Sequence, residues 1–246
     1  MKRLIIILLL LGCLPLRFVQ LSAEAFRSAR ILNEGPNEGP AMDLTDIKNI
    51  PDLYFECQIA QIARSSTVPL FYNSLVREYI EIYLMGRIKQ VPALNLLSFQ
   101  YFPIFEAQLK DSGLPLELKY IPVIESGLNP LALSPSGAKG LWQFMAETGR
   151  SFGLIVNESF DERSDPEKST QAACEYIKYL HGIFGDWQLS LIAYHAGPTT
   201  IKKAISKAGG KTSLEEIYPF LPVPTQRYLP AYIAVIYVLN NYKNHI

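Results

Sequence analysis

From about Asp52 onward, apolar side chains recur three and four positions apart, and no stretch of convincing length alternates apolar with polar residues as a half-buried strand would. This period predicts helix almost throughout. Local punctuation agrees with it. Gly113-Leu114-Pro115 predicts a helix start, because a proline in the first turn lacks only an N–H that has no intrahelical partner there. Asp165-Pro166 predicts another, whose stripe of Ala172, Ala173, Tyr176, Ile177, Leu180 and Phe184 stops at Gly185. Asp186 is placed to cap the next helix, which carries Leu189, Ile192, Ala193 and Ala196. Beyond Pro219, Pro222 and Pro224, Thr225 is placed to cap a last helix bearing Tyr228, Tyr232, Val235, Ile236 and Leu239. The expected class is all-α and many-helixed, with the stripes as its core.

Upstream of Asp52 the pattern changes. Lys2 and Arg3 precede an unbroken apolar run from Leu4 to Leu11, too short to span a bilayer, which is the layout of an export signal. Ala23-Glu24-Ala25 fits a small-x-small cleavage site and would make residues 1–25 a signal peptide. Leu10-Leu11-Gly12-Cys13 fits a lipoprotein box, in which the signal ends before Cys13 and a lipidated Cys13 anchors the chain to a membrane. Both readings stay open, and both put the protein outside the cytoplasm, in the cell envelope. Residues 26–51 contain the near-repeat Asn33-Glu34-Gly35-Pro36 and Asn37-Glu38-Gly39-Pro40, turn formers with little to bury, and read as a linker. That leaves 52–110 as a helical N-terminal extension and 111–246 as the main domain.

Composition narrows the function classes. The 246 residues are 49% hydrophobic and 19% charged, enough for a real core. The formal net charge is zero, so no overall field draws the protein to nucleic acid. No glycine loop is built to cradle a phosphate, and the three histidines, His181, His195 and His245, are too scattered to suggest a metal site. No cofactor is expected, and the substrate is expected to be held by shape, hydrogen bonds and ring stacking. Outside the signal, Cys57 and Cys174 can either pair or sit buried as small apolar residues; burial is the expectation.

The residues with chemistry to offer begin at Leu118. Tyr120, Ile121, Val123 and Ile124 lead into Glu125, followed by Ser126 and Gly127. A carboxyl at the end of an apolar helix is partly desolvated, the condition under which it can hold a proton and act as a general acid. Alone, such a glutamate reads as an ordinary surface residue. Its neighbours change that: Ser134-Pro135-Ser136-Gly137-Ala138 forms a turn-rich loop, and Gly140-Leu141-Trp142-Gln143 follows. Asp161-Glu162-Arg163, Gly185-Asp186-Trp187, Ala193-Tyr194-His195-Ala196-Gly197 and the run from Leu221 to Pro230 continue the series.

In this order and spacing, these segments resemble the signatures of the lytic transglycosylases related to goose-type lysozyme, in particular the membrane-bound D type, although the lysin-motif repeats usual at that type's C-terminus do not follow. The resemblance implies a lysozyme-like all-α domain and peptidoglycan glycan strands as the binding partner. It also implies cleavage of the β-1,4 bond between N-acetylmuramic acid and N-acetylglucosamine with closure of a 1,6-anhydro ring. Glu125 occupies the position of that family's single acid and base. Ser134 matches the serine that bonds the catalytic carboxyl or the sugar's acetamido group, Gln143 the glutamine lining the cleft, and Tyr228 the tyrosine beside the carboxyl. Tyr194 and Trp142 are candidate faces for sugar stacking, with core packing as the alternative for Trp142. His195 stands where the family has asparagine, bringing a side chain whose charge changes near neutral pH. Pro224 and Gln226 replace a common glutamate and arginine, which removes a salt link and leaves the anchoring of Tyr228 open. A muramidase using the same glutamate would need a second carboxylate to activate water, with Glu147 and Asp161 as candidates. A silent glycan-binding module is the remaining alternative.

Overall fold

The structure is a computed structural model that describes residues 46–86 and 90–241. The expected export signal, Cys13, most of the expected linker and His245 lie outside the described residues. Among the described residues, eleven α-helices follow one another: α1 (Asp46–Asn49), α2 (Asp52–Ala63), α3 (Ser74–Glu81), α4 (Val91–Asp111), α5 (Ile121–Ser126), α6 (Ala146–Ser151), α7 (Pro166–Phe184), α8 (Trp187–Ala196), α9 (Pro198–Lys207), α10 (Leu214–Ile217) and α11 (Val223–Asn241). The described residues contain no strand, only isolated bridges such as that between Lys139 and Phe144. The fold is all-α.

Local chemistry sets most boundaries where the sequence predicts them. The Asp165 carboxylate accepts from the N–H groups of Glu167 and Lys168 at 3.0 and 2.9 Å, and Asp186 accepts from Leu189 at 2.8 Å. Two starts differ from expectation. Gly113-Leu114-Pro115 opens a 3₁₀ turn, Leu116–Tyr120, and only then does α5 begin, with Pro122 in its first turn. Thr225 is not a cap: α11 starts two residues earlier, and Thr225 is buried inside it. Pro224 occupies the first turn, where a missing N–H costs nothing, so the prolines advance the helix start.

Helix α11 is the central strut. Tyr232, Ile233, Val235, Ile236 and Tyr237 are each at most 1% exposed, so the helix is covered nearly all round. Helices α3, α5 and α8 pack against it, and α4 and α8 both pack on α7. The N-terminal extension shares this core. The ring of Phe55 lies 5.5 Å from that of Tyr237, with the Arg77 guanidinium 4.2 Å over Phe55. Arg77 also donates to the carbonyls of Ile47 and Ile50 at 2.8 and 2.9 Å, fixing the chain entering α2. One cluster of buried apolar residues extends from Ile47 to Val238.

Both described cysteines are free; Cys174 is buried and Cys57 exposed. The expectation of burial is therefore wrong for Cys57. Two positions along α2 from the buried Phe55, it is turned about 200° around the axis and faces outward. Among the described residues, no helix is long and apolar enough to cross a membrane.

Candidate active site

Glu125 sits in the last turn of α5, just before Gly127 ends the helix in the left-handed region at φ 59°. The hydroxyl of the buried Ser126 lies 2.9 Å from the Pro122 carbonyl and 2.8 Å from that of Leu141, joining this helix end to the loop beyond it. The Glu125 side chain is 13% exposed and opens into a cleft of about 320 Å³. Tyr228, brought in by α11, donates its hydroxyl to Glu125 Oε1 at 2.9 Å. Burial, and then the Glu125 charge beside it, hold the Tyr228 phenol well above its ordinary pKa, so it is a neutral donor across the working pH range. His195, at the end of α8, places Nδ1 3.9 Å from the same oxygen, and its ring lies on that of Tyr228 with centroids 4.5 Å apart.

The loop between α5 and α6 forms the facing wall. Ser134 and Gln143 both line the cleft, but their polar atoms are largely engaged by the loop itself. The Ser134 hydroxyl accepts from the Ala138 N–H at 2.9 Å and shares a hydrogen bond of 2.9 Å with Ser136; its described bonds do not include Glu125. Gln143 has a positive φ of 50°, and its amide nitrogen donates to the carbonyls of Gly140 and Ala132 at 2.8 and 3.2 Å. What Gln143 has left for a ligand is its acceptor oxygen. Tyr194 lines the cleft with its hydroxyl tied to the Trp142 carbonyl at 2.8 Å.

Trp142 corrects the sequence reading. It is 0% exposed, packed edge-on against Phe105, with its indole N–H given to Thr170 at 2.9 Å. No face remains for a sugar ring; Trp142 is core. Tyr176 moves the other way: placed in the core stripe by its period, it also lines the cleft.

Two anchors were not assigned roles from sequence. Arg163 is 7% exposed and reaches Asp161 with two parallel N–H groups, each at 2.8 Å. Its remaining nitrogen donates to the carbonyls of Gly137 and Phe144 at 2.8 and 3.0 Å, so one guanidinium pins the cleft-wall loop at its middle and near its C-terminal end. Gly140 packs so tightly against this arginine that an added Cβ would meet its carbonyl oxygen at 1.7 Å. Gln226 is the second anchor. In place of a salt link, its amide donates to the carbonyls of Tyr218 and Leu221 at 2.9 and 3.0 Å, holding the turn from which α11 delivers Tyr228. A short side-chain-to-backbone bond of this kind leaves no periodic trace in a sequence.

Residues 102–217 match the family model described as the transglycosylase SLT domain. The chain carries a transglycosylase SLT domain. Every cleft residue from Glu125 to Gly197 lies within the matched span, and Tyr228 follows it. The membrane-bound lytic murein transglycosylase D of Escherichia coli (strain K12) is 34% identical over 176 residues, 70% of this chain and 38% of that protein. A putative tributyltin chloride resistance protein of Alteromonas sp. (strain M-1) is 34% identical over 116 residues, 47% of this chain and 55% of that one. The chain thus spans well under half of the first relative's length. Among solved structures, the 70 kDa soluble lytic transglycosylase from Escherichia coli superposes with a TM-score of 0.51 at 17% identity, covering 90% of this chain and 40% of that one. At that identity the likeness is one of fold, and the SLT domain sits within it.

Proposed function

We propose that this protein is a peptidoglycan lytic transglycosylase in which Glu125 alone serves as acid and base. One observation carries the reading: Glu125 is the single carboxylate among the described residues lining the cleft, and a neutral tyrosine donor is fixed on it. In the first step the protonated carboxyl gives its proton to the glycosidic oxygen between N-acetylmuramic acid and N-acetylglucosamine. The C1–O bond breaks and an oxocarbenium-like centre develops, assisted by the sugar's acetamido group. In the second step the Glu125 carboxylate takes the proton of the C6 hydroxyl, whose oxygen bonds to C1 and closes a 1,6-anhydro ring. No water enters, and the glutamic acid is restored. Tyr228 holds the carboxyl in place and stabilises its charged form between the steps.

Hydrolysis by a goose-type-lysozyme route requires a second carboxylate placed to activate water. Asp161 is committed to Arg163 and Lys139, the latter at 3.0 Å, and Glu147 is exposed on α6 and is not among the residues that line the cleft. Neither fits the task. The reading also puts the protein in the cell envelope, with Cys13 as a candidate lipid anchor.

Digestion of purified sacculi followed by mass analysis tests the proposal. The expected products end in anhydromuramic acid, one water lighter than hydrolysis products, and Glu125→Gln abolishes their release. Fully hydrated ends would instead make this a muramidase. Undiminished release by Glu125→Gln would sink the single-acid mechanism altogether.

A further inference from the structure

The cleft-wall loop also borders a second recess, of about 510 Å³, which shares no lining residue with the cleft. Leu131 and Lys139 of that loop and the turn from Asn157 to Asp161 form its walls. Two apolar side chains stand open to solvent there, Leu131 at 72% and Phe160 at 68% exposure. The turn that presents the Phe160 ring is fixed. The Asn157 carboxamide oxygen accepts from the N–H groups of Ser159 and Phe160 at 2.9 and 2.8 Å, and the Asn157 N–H donates to the Phe160 carbonyl at 2.8 Å. The exposed Asn157 carboxamide nitrogen and Glu158 carboxylate remain open among the described residues. Lys139, bonded to Asp161 at 3.0 Å, keeps two further N–H donors. The Ser164 hydroxyl, on a residue that also lines the recess, is buried without a partner among the described residues. A buried hydroxyl is costly to leave unpaired.

These groups select a ligand class. The charges of Lys139 and Arg163 are balanced by those of Asp161 and Glu158, so the recess has no net attraction for an anion. That disfavours phosphate and the carboxylate-bearing stem peptides of the wall. An exposed aromatic face beside amide, carboxylate and ammonium groups instead fits a neutral pyranose. The sugar's C–H face lies on the phenyl ring, and its hydroxyl and acetamido groups find donors and acceptors around it. We propose that this recess is a second glycan site, which holds an N-acetylglucosamine unit of the wall while the cleft cuts elsewhere. The proposal rests on the glycan strand also being the ligand of the cleft. Phe160 stacks on the sugar, Asn157 and Lys139 donate to it, and Glu158 accepts from its hydroxyls. Because Lys139 also bonds Asp161, which Arg163 clasps, an occupied recess bears on the anchor that holds the cleft-wall loop. The site keeps the enzyme on an insoluble polymer between cuts, which raises the local concentration of uncut bonds.

Tri-N-acetylchitotriose, a soluble and neutral probe, tests the site by NMR in the full chain carrying Glu125→Gln, so that no turnover intervenes. Shifts are expected in two separately saturating groups of backbone amides, one around the cleft and one at residues 157–161. Phe160→Ala should weaken the affinity read from the second group about tenfold or more. Phe160→Trp, which keeps an aromatic face, should retain it within a few-fold. The side chain is exposed, so neither change disturbs the core. No shift at 157–161, or equal loss in both variants, would overturn the proposal. Shifts there from a sugar-free stem peptide but none from chitotriose would overturn it too, making the recess a peptide site. Co-sedimentation with purified sacculi reads the role on the wall. The bound fraction of the Glu125→Gln chain should fall several-fold when Phe160→Ala is added, and an unchanged fraction would contradict that role. Release of anhydro products by the wild type reports on the cleft alone. Its absence beside a responding 157–161 group would sink the transglycosylase reading and leave the recess standing; the converse would retire only the recess.

Discussion

Tyr228 makes the shortest described contact to the Glu125 carboxyl from another helix, across 103 positions of sequence. A hydrogen bond to a charged group contributes about 1.5–3 kcal/mol, so Tyr228→Phe is expected to lower turnover by roughly ten- to a hundred-fold. The thermal midpoint should move little, since the ring and its stacking on His195 remain. A rate assay paired with calorimetry checks both parts. Equal losses of activity and stability would mean that Tyr228 acts through packing alone. Legibility was uneven at this scale. Glu125 was a candidate because ordered segments downstream framed it, although its own position looked ordinary. Trp142 sits in a loop without period, and nothing local distinguishes a ring in the core from one in the cleft. Its burial depends on Phe105 and Thr170, which arrive from α4 and α7.

At the level of elements, the cleft wall depends on a single buried guanidinium. Its hydrogen bonds, first from Arg163 and then from Lys139, hold the Asp161 carboxyl well below the usual carboxylate range. Stabilisation from a lowered carboxylate is fully present above its unfolded pKa of 3.8 and disappears as the pH falls through the lower folded value. Asp161→Asn, which leaves Arg163 buried and half-paired, is therefore expected to cost about 3 kcal/mol at pH 7. The difference from wild type should shrink below pH 4. Denaturation midpoints measured from pH 7 down to pH 2 check the sign; a gap that widened on acidification would contradict it. Helix starts with a side-chain cap, at Asp165 and Asp186, are readable from sequence, because such a cap acts within its own turn. Helix α11 begins at Val223, ahead of the start that a Thr225 cap predicts, since a proline cluster can stop a helix or begin one. Gln226, by bonding Tyr218 and Leu221, belongs to the beginning.

Across the whole molecule, the extension and the SLT domain share one apolar cluster, which supports the expectation that they unfold together. Phe55 is 0% exposed against Tyr237, and Phe55→Ala should cost about 3–5 kcal/mol. Both tryptophans, Trp142 and Trp187, lie outside the extension, so their fluorescence reports on the SLT half. The expected outcome is a lower denaturation midpoint in tryptophan fluorescence, in one transition. An unmoved fluorescence midpoint would make the extension a separate unit.

The sequence by itself determined the helical class, the helix starts at Asp165 and Asp186, the stop at Gly185 and the candidate acid. Each depends on side chains within a turn or two of one another, or on an ordered series of short segments. Only the tertiary structure decided that Trp142 is core, that Asp161 is spent on Arg163, that Gln226 anchors the turn before Tyr228, and that His195 lies within 4 Å of Glu125. Those outcomes depend on which helix faces which across the core. Contacts between distant positions are fixed by packing the whole chain, and leave no spacing in the sequence from which to read them.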